Sequence, residues 1–82
     1  MTKVKIYGKK ICSYCQDAKE YFSKIDVDLD YEEVADTKIK ELERDTGIDT
    51  VPQIFINEKF IGGWVTTKEL IRTGELDKLL NN

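Results

Sequence analysis

The chain has 82 residues, 40% of them hydrophobic and 35% charged, with a net charge of −3 and no histidine. One small globular domain over 1–82 is expected, near the lower size limit for a self-sufficient hydrophobic core. Interspersed charges exclude the basic stripe of a nucleic-acid binder, no apolar run suffices for a membrane span, and histidine-dependent catalysis or metal ligation cannot come from this chain alone.

The opening segment MTKVKIYGKK alternates lysine with apolar residues and lacks the apolar stretch of a secretory leader, so a reducing, cytoplasmic setting is expected. Within it, KVKIY (3–7) places Val4 and Ile6 on one face of a strand. From Tyr14 the period changes: Tyr14, Ala18, Tyr21, Phe22 and Ile25 form one stripe of an amphipathic helix. VDLDYEEV (27–34) alternates again and predicts a second strand. Asp36 is the expected N-cap of a second helix, with Ile39 and Leu42 as its thin apolar face and Gly47 after its last turn. PQIFI (52–56) and KFIGG (59–63) predict a β-hairpin about Asn57-Glu58. The last helix is expected to open on a capping box, Thr66 with Glu69, and to be divided by Gly74. The order β-α-β-α-β-β-α predicts an α/β fold: a four-stranded mixed sheet, its first two strands parallel, with helices on both faces.

The only two cysteines, Cys12 and Cys15, lie where the first strand ends and the first helix begins. Three readings are available. A metal site needs two further ligands, and the chain has neither another cysteine nor a histidine. A structural disulfide would close too small a loop to constrain the unfolded chain much. A redox pair fits the placement, because unpaired amides and the dipole at a helix N-terminus favour a thiolate, and Lys9 and Lys10 add positive potential. A thiol of ordinary pKa, about 8.5, is roughly 3% ionised at pH 7. Lowering the pKa raises that fraction but lowers intrinsic nucleophilicity by a similar factor, so the gain lies in departure from a mixed disulfide.

The strand-CSYC-helix, the segment TVPQIFI and the Gly62-Gly63 pair after the last strand together resemble a dithiol glutaredoxin over essentially the whole chain. The resemblance implies a thioredoxin-like fold and reduction of protein-glutathione mixed disulfides and small or protein disulfides, with glutathione as co-substrate. It implies that Cys12 is the nucleophile and Cys15 the resolving thiol. Lys9 matches the basic residue that pairs with a glutathione carboxylate, and Tyr14 flanks the groove. Thr50-Val51-Pro52 matches a loop whose proline is cis and whose Val51 backbone pairs with the glutathione cysteine. Gly63, Trp64, Val65 and Thr66 form the helix start that would receive the γ-glutamyl carboxylate. Lys38 is a weaker candidate for the glycine carboxylate, and a solvated charge suits it and Lys10 better.

Two departures from the family pattern stand out. Ser13 replaces the usual proline between the cysteines, as in members that bridge a [2Fe-2S] cluster between two monomers through the first cysteine, here Cys12, and two glutathiones. The run WVTT also follows Gly63 where a small or polar residue and an aspartate are usual, leaving only the Thr66 and Thr67 hydroxyls for the glutathione ammonium. Trp64 could then enlarge an apolar rim for a protein partner or pack against the last helix. A cluster-bridged dimer and a redoxin that passes electrons from thioredoxin reductase to ribonucleotide reductase are the alternative functions. A monomer is expected unless a cluster bridges two copies.

Overall fold

The computed structural model describes residues 1–81. Eight elements follow one another: β1 (Lys3–Gly8), α1 (Ser13–Ser23), β2 (Asp28–Glu33), α2 (Asp36–Thr46), β3 (Gln53–Ile56), β4 (Lys59–Gly62), α3 (Trp64–Thr73) and α4 (Glu75–Leu80). The strands form one sheet in the order β2-β1-β3-β4, with β1 parallel to β2 and the other neighbours antiparallel. The expected mixed sheet and element order are found, and Gly74, at φ 83°, divides the last helix as expected.

Strand alternation decides what each face of the sheet carries. Val4 pairs with Leu29 and Ile56, and Ile6 pairs with Tyr31 and Ile54, so one face is apolar. Against it pack Ala18 and Phe22 of α1, Trp64 of α3 and Leu76 of α4, which completes the buried core. The opposite face carries Lys5, Tyr7, Phe55 and the acidic residues of β2. Lys5 there holds two carboxylates, Asp30 at 2.7 Å and Glu32 at 2.8 Å. α2 lies over this face, burying only Ile39 and Leu42, and its Lys38 ammonium stands 5.6 Å from the centre of the Tyr7 ring.

Turn chemistry fixes the hairpin. Asn57 and Glu58 both take positive φ, 48° and 72°, as a two-residue turn between antiparallel strands requires. Asn57 exchanges hydrogen bonds with the backbone of Lys3, which ties the turn to the start of β1.

Three local expectations give way to tertiary packing. Tyr14 leaves the apolar stripe of α1, which is buried instead through Cys15, Ala18 and Phe22; Tyr14 is 49% exposed. Ala35 rather than Asp36 is the N-cap of α2, and the Asp36 carboxylate turns away to Lys9. α3 begins three residues earlier than the capping box required, with Gly63 rather than Thr66 as N-cap, and Glu69 pairs with Arg72. In each case a side chain takes a partner outside the local motif.

Gly8 closes β1 where no side chain fits. A Cβ there would overlap the Tyr31 hydroxyl and come within 3.0 Å of Cys15 Sγ. Gly8→Ala is expected to cost about 2 kcal/mol and lower Tm by about 10 °C. Adding Tyr31→Phe should recover part of the loss. Thermal unfolding of the single and double variants measures both effects.

Candidate active site

The chain leaves the central strand β1 at Gly8 and enters α1 at Ser13, so only four residues separate strand from helix. Cys12 is the N-cap. Its backbone is extended, at φ −159° and ψ 107°, and its Sγ accepts the Cys15 backbone N–H at 3.2 Å. A sulfur thus does the work that a serine or aspartate oxygen commonly does at a helix start. The same donor favours negative charge on Cys12 once the pair is reduced, because a hydrogen bond to a charged group is worth about 1.5–3 kcal/mol. No acidic residue lies in the first turn of α1 to oppose it.

The two sulfurs are bonded to each other, with their Cα atoms 5.2 Å apart. Their surroundings differ. Cys15 is fully buried, whereas Cys12 is partly exposed. Any external disulfide must therefore meet Cys12 first, and Cys15 can act only on what Cys12 has already bound.

The loop before Cys12 is held by its carbonyls. Tyr31 Oη donates to the Lys9 carbonyl at 2.9 Å, and Gln16 Nε2 donates to the Lys10 carbonyl at 3.3 Å. Partial burial, first of all, pushes the Tyr31 hydroxyl above its ordinary pKa, with the nearby Glu33 charge adding to it, so it stays a donor at neutral pH. Ile11, directly before Cys12, is 96% exposed. Lys9 Nζ lies 2.6 Å from Asp36 Oδ1.

The loop between α2 and β3 carries the TVP segment. The Val51-Pro52 peptide is cis, Pro52 is buried and Thr50 is exposed. Gln53, fully buried, secures this loop: its Nε2 donates to the carbonyls of Ile48 at 2.6 Å and Thr50 at 3.2 Å, and its Oε1 accepts from Thr46 Oγ1 at 3.1 Å. The Gly62-Gly63 pair then brings α3 across the loop. A Cβ at Gly63 would stand 3.4 Å from the Pro52 carbonyl, and Gly62, at φ 126°, lies against the Thr66 side chain. Such close backbone approach suits glycine. With glycine as N-cap, α3 has no side-chain cap, so its first amides remain available.

The residues after Gly63 separate in the structure. Trp64 is buried in the core, its ring 6.1 Å from that of Tyr21, so it packs inward and adds nothing to an apolar rim. Val65 is 61% exposed, and on the same helix Lys68 reaches over the Tyr14 ring at 5.7 Å. Thr67 is fully buried and its hydroxyl donates to the Gly63 carbonyl at 2.8 Å, so of the two threonines only Thr66 keeps an exposed hydroxyl.

Cys12, Tyr14 and Cys15 lie together at the start of α1, Thr50, Val51 and Pro52 lie in the loop before β3, and Gly63 comes against the Pro52 carbonyl. Sequence reasoning missed Gln53, Tyr31 and Asp36. Gln53 could have been noticed as the one strongly polar residue within the apolar run PQIFI. Among the described residues no group of three or more histidine, cysteine, aspartate or glutamate side chains could hold a metal ion. One of the two sulfurs is also buried and bonded to the other, so the residues present do not form a cluster site by themselves.

A glutaredoxin family model matches residues 4–61. Glutaredoxin-C4 of Arabidopsis thaliana is 40% identical over 95% of this chain, which spans 62% of that relative. The chain spans about half the length of mouse mitochondrial glutaredoxin-2. Among solved structures, glutaredoxin 1 of Francisella tularensis, complexed with cacodylate, aligns over the full length of both chains at 33% identity with a TM-score of 0.80. A buckwheat glutaredoxin-glutathione complex aligns at 28% identity and a TM-score of 0.80, over 98% of this chain and 77% of its own.

Gln53→Leu keeps the volume but removes the amide donor of the Ile48 and Thr50 carbonyls, while the Thr46 hydroxyl keeps its bonds to Leu42 and Ile48. It is expected to destabilise the protein by about 2–3 kcal/mol, seen as a lower denaturant midpoint with little change in slope. An unchanged midpoint would show that the loop does not depend on this residue.

Proposed function

The chain belongs to the glutaredoxin family, and from that premise we propose that it is a glutathione-dependent thiol-disulfide oxidoreductase acting through Cys12 and Cys15. The observation that carries the reading is the inequality of the two sulfurs: a partly exposed one capping a helix and a buried one behind it.

In the reduced protein the Cys12 thiolate attacks the glutathione sulfur of a protein-glutathione mixed disulfide. A Cys12-glutathione disulfide forms, and the protein thiolate leaves and takes a proton from solvent. A second glutathione thiolate then attacks the glutathione sulfur on Cys12, releasing oxidised glutathione and the Cys12 thiolate. Alternatively the Cys15 thiolate attacks Cys12 Sγ, expels glutathione and gives the Cys12–Cys15 disulfide present in this structure; two further glutathiones reduce it. The Cys15 N–H to Cys12 Sγ bond stabilises the Cys12 thiolate both as attacking group and as leaving group.

For glutathione itself, the Val51 backbone is assigned to pair with the cysteinyl unit, Lys9 to take a carboxylate, and Tyr14 to flank the groove. The uncapped start of α3, from Gly63 through Trp64, Val65 and Thr66, is assigned to the γ-glutamyl carboxylate. The buckwheat glutaredoxin-glutathione complex supports this assignment as a related protein with that ligand. No carboxylate in the WVTT run meets the ammonium, so the Thr66 hydroxyl is the remaining partner there and the γ-glutamyl end is held weakly. The natural setting is a reducing compartment such as the cytoplasm, where glutathione is kept largely as thiol. Its protein substrates are glutathionylated or disulfide-bonded partners.

Turnover of a glutathione mixed disulfide with glutathione as the only reductant tests the reading. Cys12→Ser is expected to abolish it. Cys15→Ser should retain deglutathionylation and lose reduction of protein disulfides that need both thiols. Full activity in Cys12→Ser would overturn the mechanism, and recharging by thioredoxin reductase but not by glutathione would move the protein to the other redoxin class.

A further inference from the structure

Lys9, assigned above to a glutathione carboxylate, already has a counter-ion. Its ammonium lies 2.6 Å from Oδ1 of Asp36, the first residue of α2, so the pair links the loop before Cys12 to that helix. The Lys9 side chain is 40% exposed and that of Asp36 is 89% exposed. Asp36 is the more exposed of the two and the freer to swing away.

We propose that Asp36 is a displaceable counter-ion that competes with the glutathione carboxylate for Lys9 and so sets how tightly glutathionylated substrates are held. The proposal rests on the glutathione reading above.

The exchange is feasible because the pair lies at the surface. An exposed ion pair is worth little, so an incoming carboxylate can replace it. Asp36 also has a second cation available. Lys40 lies one turn along α2, at the i,i+4 spacing that brings side chains together, and its charge already acts on Asp36. The present partner of Lys40 is Glu43, at a loose 3.6 Å. The Lys9 hydrogen bond holds the Asp36 carboxyl below its ordinary pKa, so the competitor is fully charged at neutral pH. Lys5 shows that one ammonium in this protein can hold two carboxylates, but Asp30 and Glu32 are both fixed on β2. At Lys9 the second carboxylate would belong to a dissociable ligand, so the repulsion appears as lost affinity.

The role is specificity-determining and non-catalytic, which makes the kinetic signature distinctive. With a glutathionylated peptide as substrate and glutathione in excess, Asp36→Asn is expected to raise kcat/KM about two- to fourfold through KM, with kcat within about twofold. Lys40→Gln, which removes the alternative partner, should shift KM the other way. The gain should fade in about 0.5 M salt, where exposed charges are screened. In a Lys9→Met background Asp36→Asn should have no effect, which identifies Lys9 as the residue through which it acts. Asp36→Ser serves as a second variant, so that a folding defect peculiar to one substitution does not decide the matter. If wild-type protein turns over the peptide and both Asp36 variants leave KM unchanged or raise it, the competition proposal is overturned and the glutathione reading stands. If wild-type protein shows no turnover with glutathione, both fall together.

Discussion

The bond from the Cys15 amide to Cys12 Sγ is the constraint around which the rest of the site is arranged. It requires the chain to pass from a central strand into a helix within four residues and to put a sulfur at the cap. The central strand has neighbours on both sides, so its end cannot shift to make room. The space at the turn is shared by Gly8, the Tyr31 hydroxyl and the buried Cys15 sulfur. Gly8 must therefore lack a side chain, and Tyr31 can then reach the Lys9 carbonyl and fix the loop. The redox pair, the strand end and the neighbouring strand are one packing problem.

The loop between α2 and β3 is built by a different device. Pro52 is buried there and Ile48 and Val51 are half-buried. Further order comes from polar groups: Gln53 donates to two loop carbonyls and accepts from the Thr46 hydroxyl, and an unpaired buried carbonyl would be costly. Among the described residues no buried side-chain nitrogen or oxygen lacks a partner, so the network is complete. Gly62 and Gly63 then bring α3 close to the Pro52 carbonyl, and Thr67 satisfies the Gly63 carbonyl from within the helix.

What could be read from the sequence is uneven. Alternation in KVKIY and the Asn57-Glu58 turn depend on local rules that tertiary packing reinforces, and both were legible. Helix starts were not, because capping residues are attracted by partners that a linear pattern does not contain. Asp36 is drawn to Lys9, 27 residues earlier. Glu69 meets a local rival instead, Arg72 at i,i+3. Tyr14 fits the helical period but sits one position before Cys15, and α1 turns so that the sulfur is buried and the ring exposed. The identity of Cys12 and Cys15 as a pair was legible from spacing and position. The loop that faces them was recognised only through the family motif, since nothing in its periodicity announces Gln53 as its anchor.

The WVTT run alters the frame at Trp64 and the exposed helix start at Val65. Placing an indole directly after Gly63 fills the core beside Tyr21 and Leu76 with a large apolar group. That packing fixes the rotation of α3, so Val65 and Lys68 face outward and Thr67 faces inward. The aspartate usual after the glycine pair would fall at position 65, where Val65 is exposed, so its absence is a separate change that the packing of Trp64 does not require. The core gains a large side chain, and the exposed start of α3 retains only backbone amides and the Thr66 hydroxyl as polar partners. Under the proposed glutathione reading, recognition of the anionic ligand would rest more on Lys9, whose ammonium pairs with Asp36. The electrostatics of the site are concentrated at the end nearest α2, and the packing at the end nearest α3.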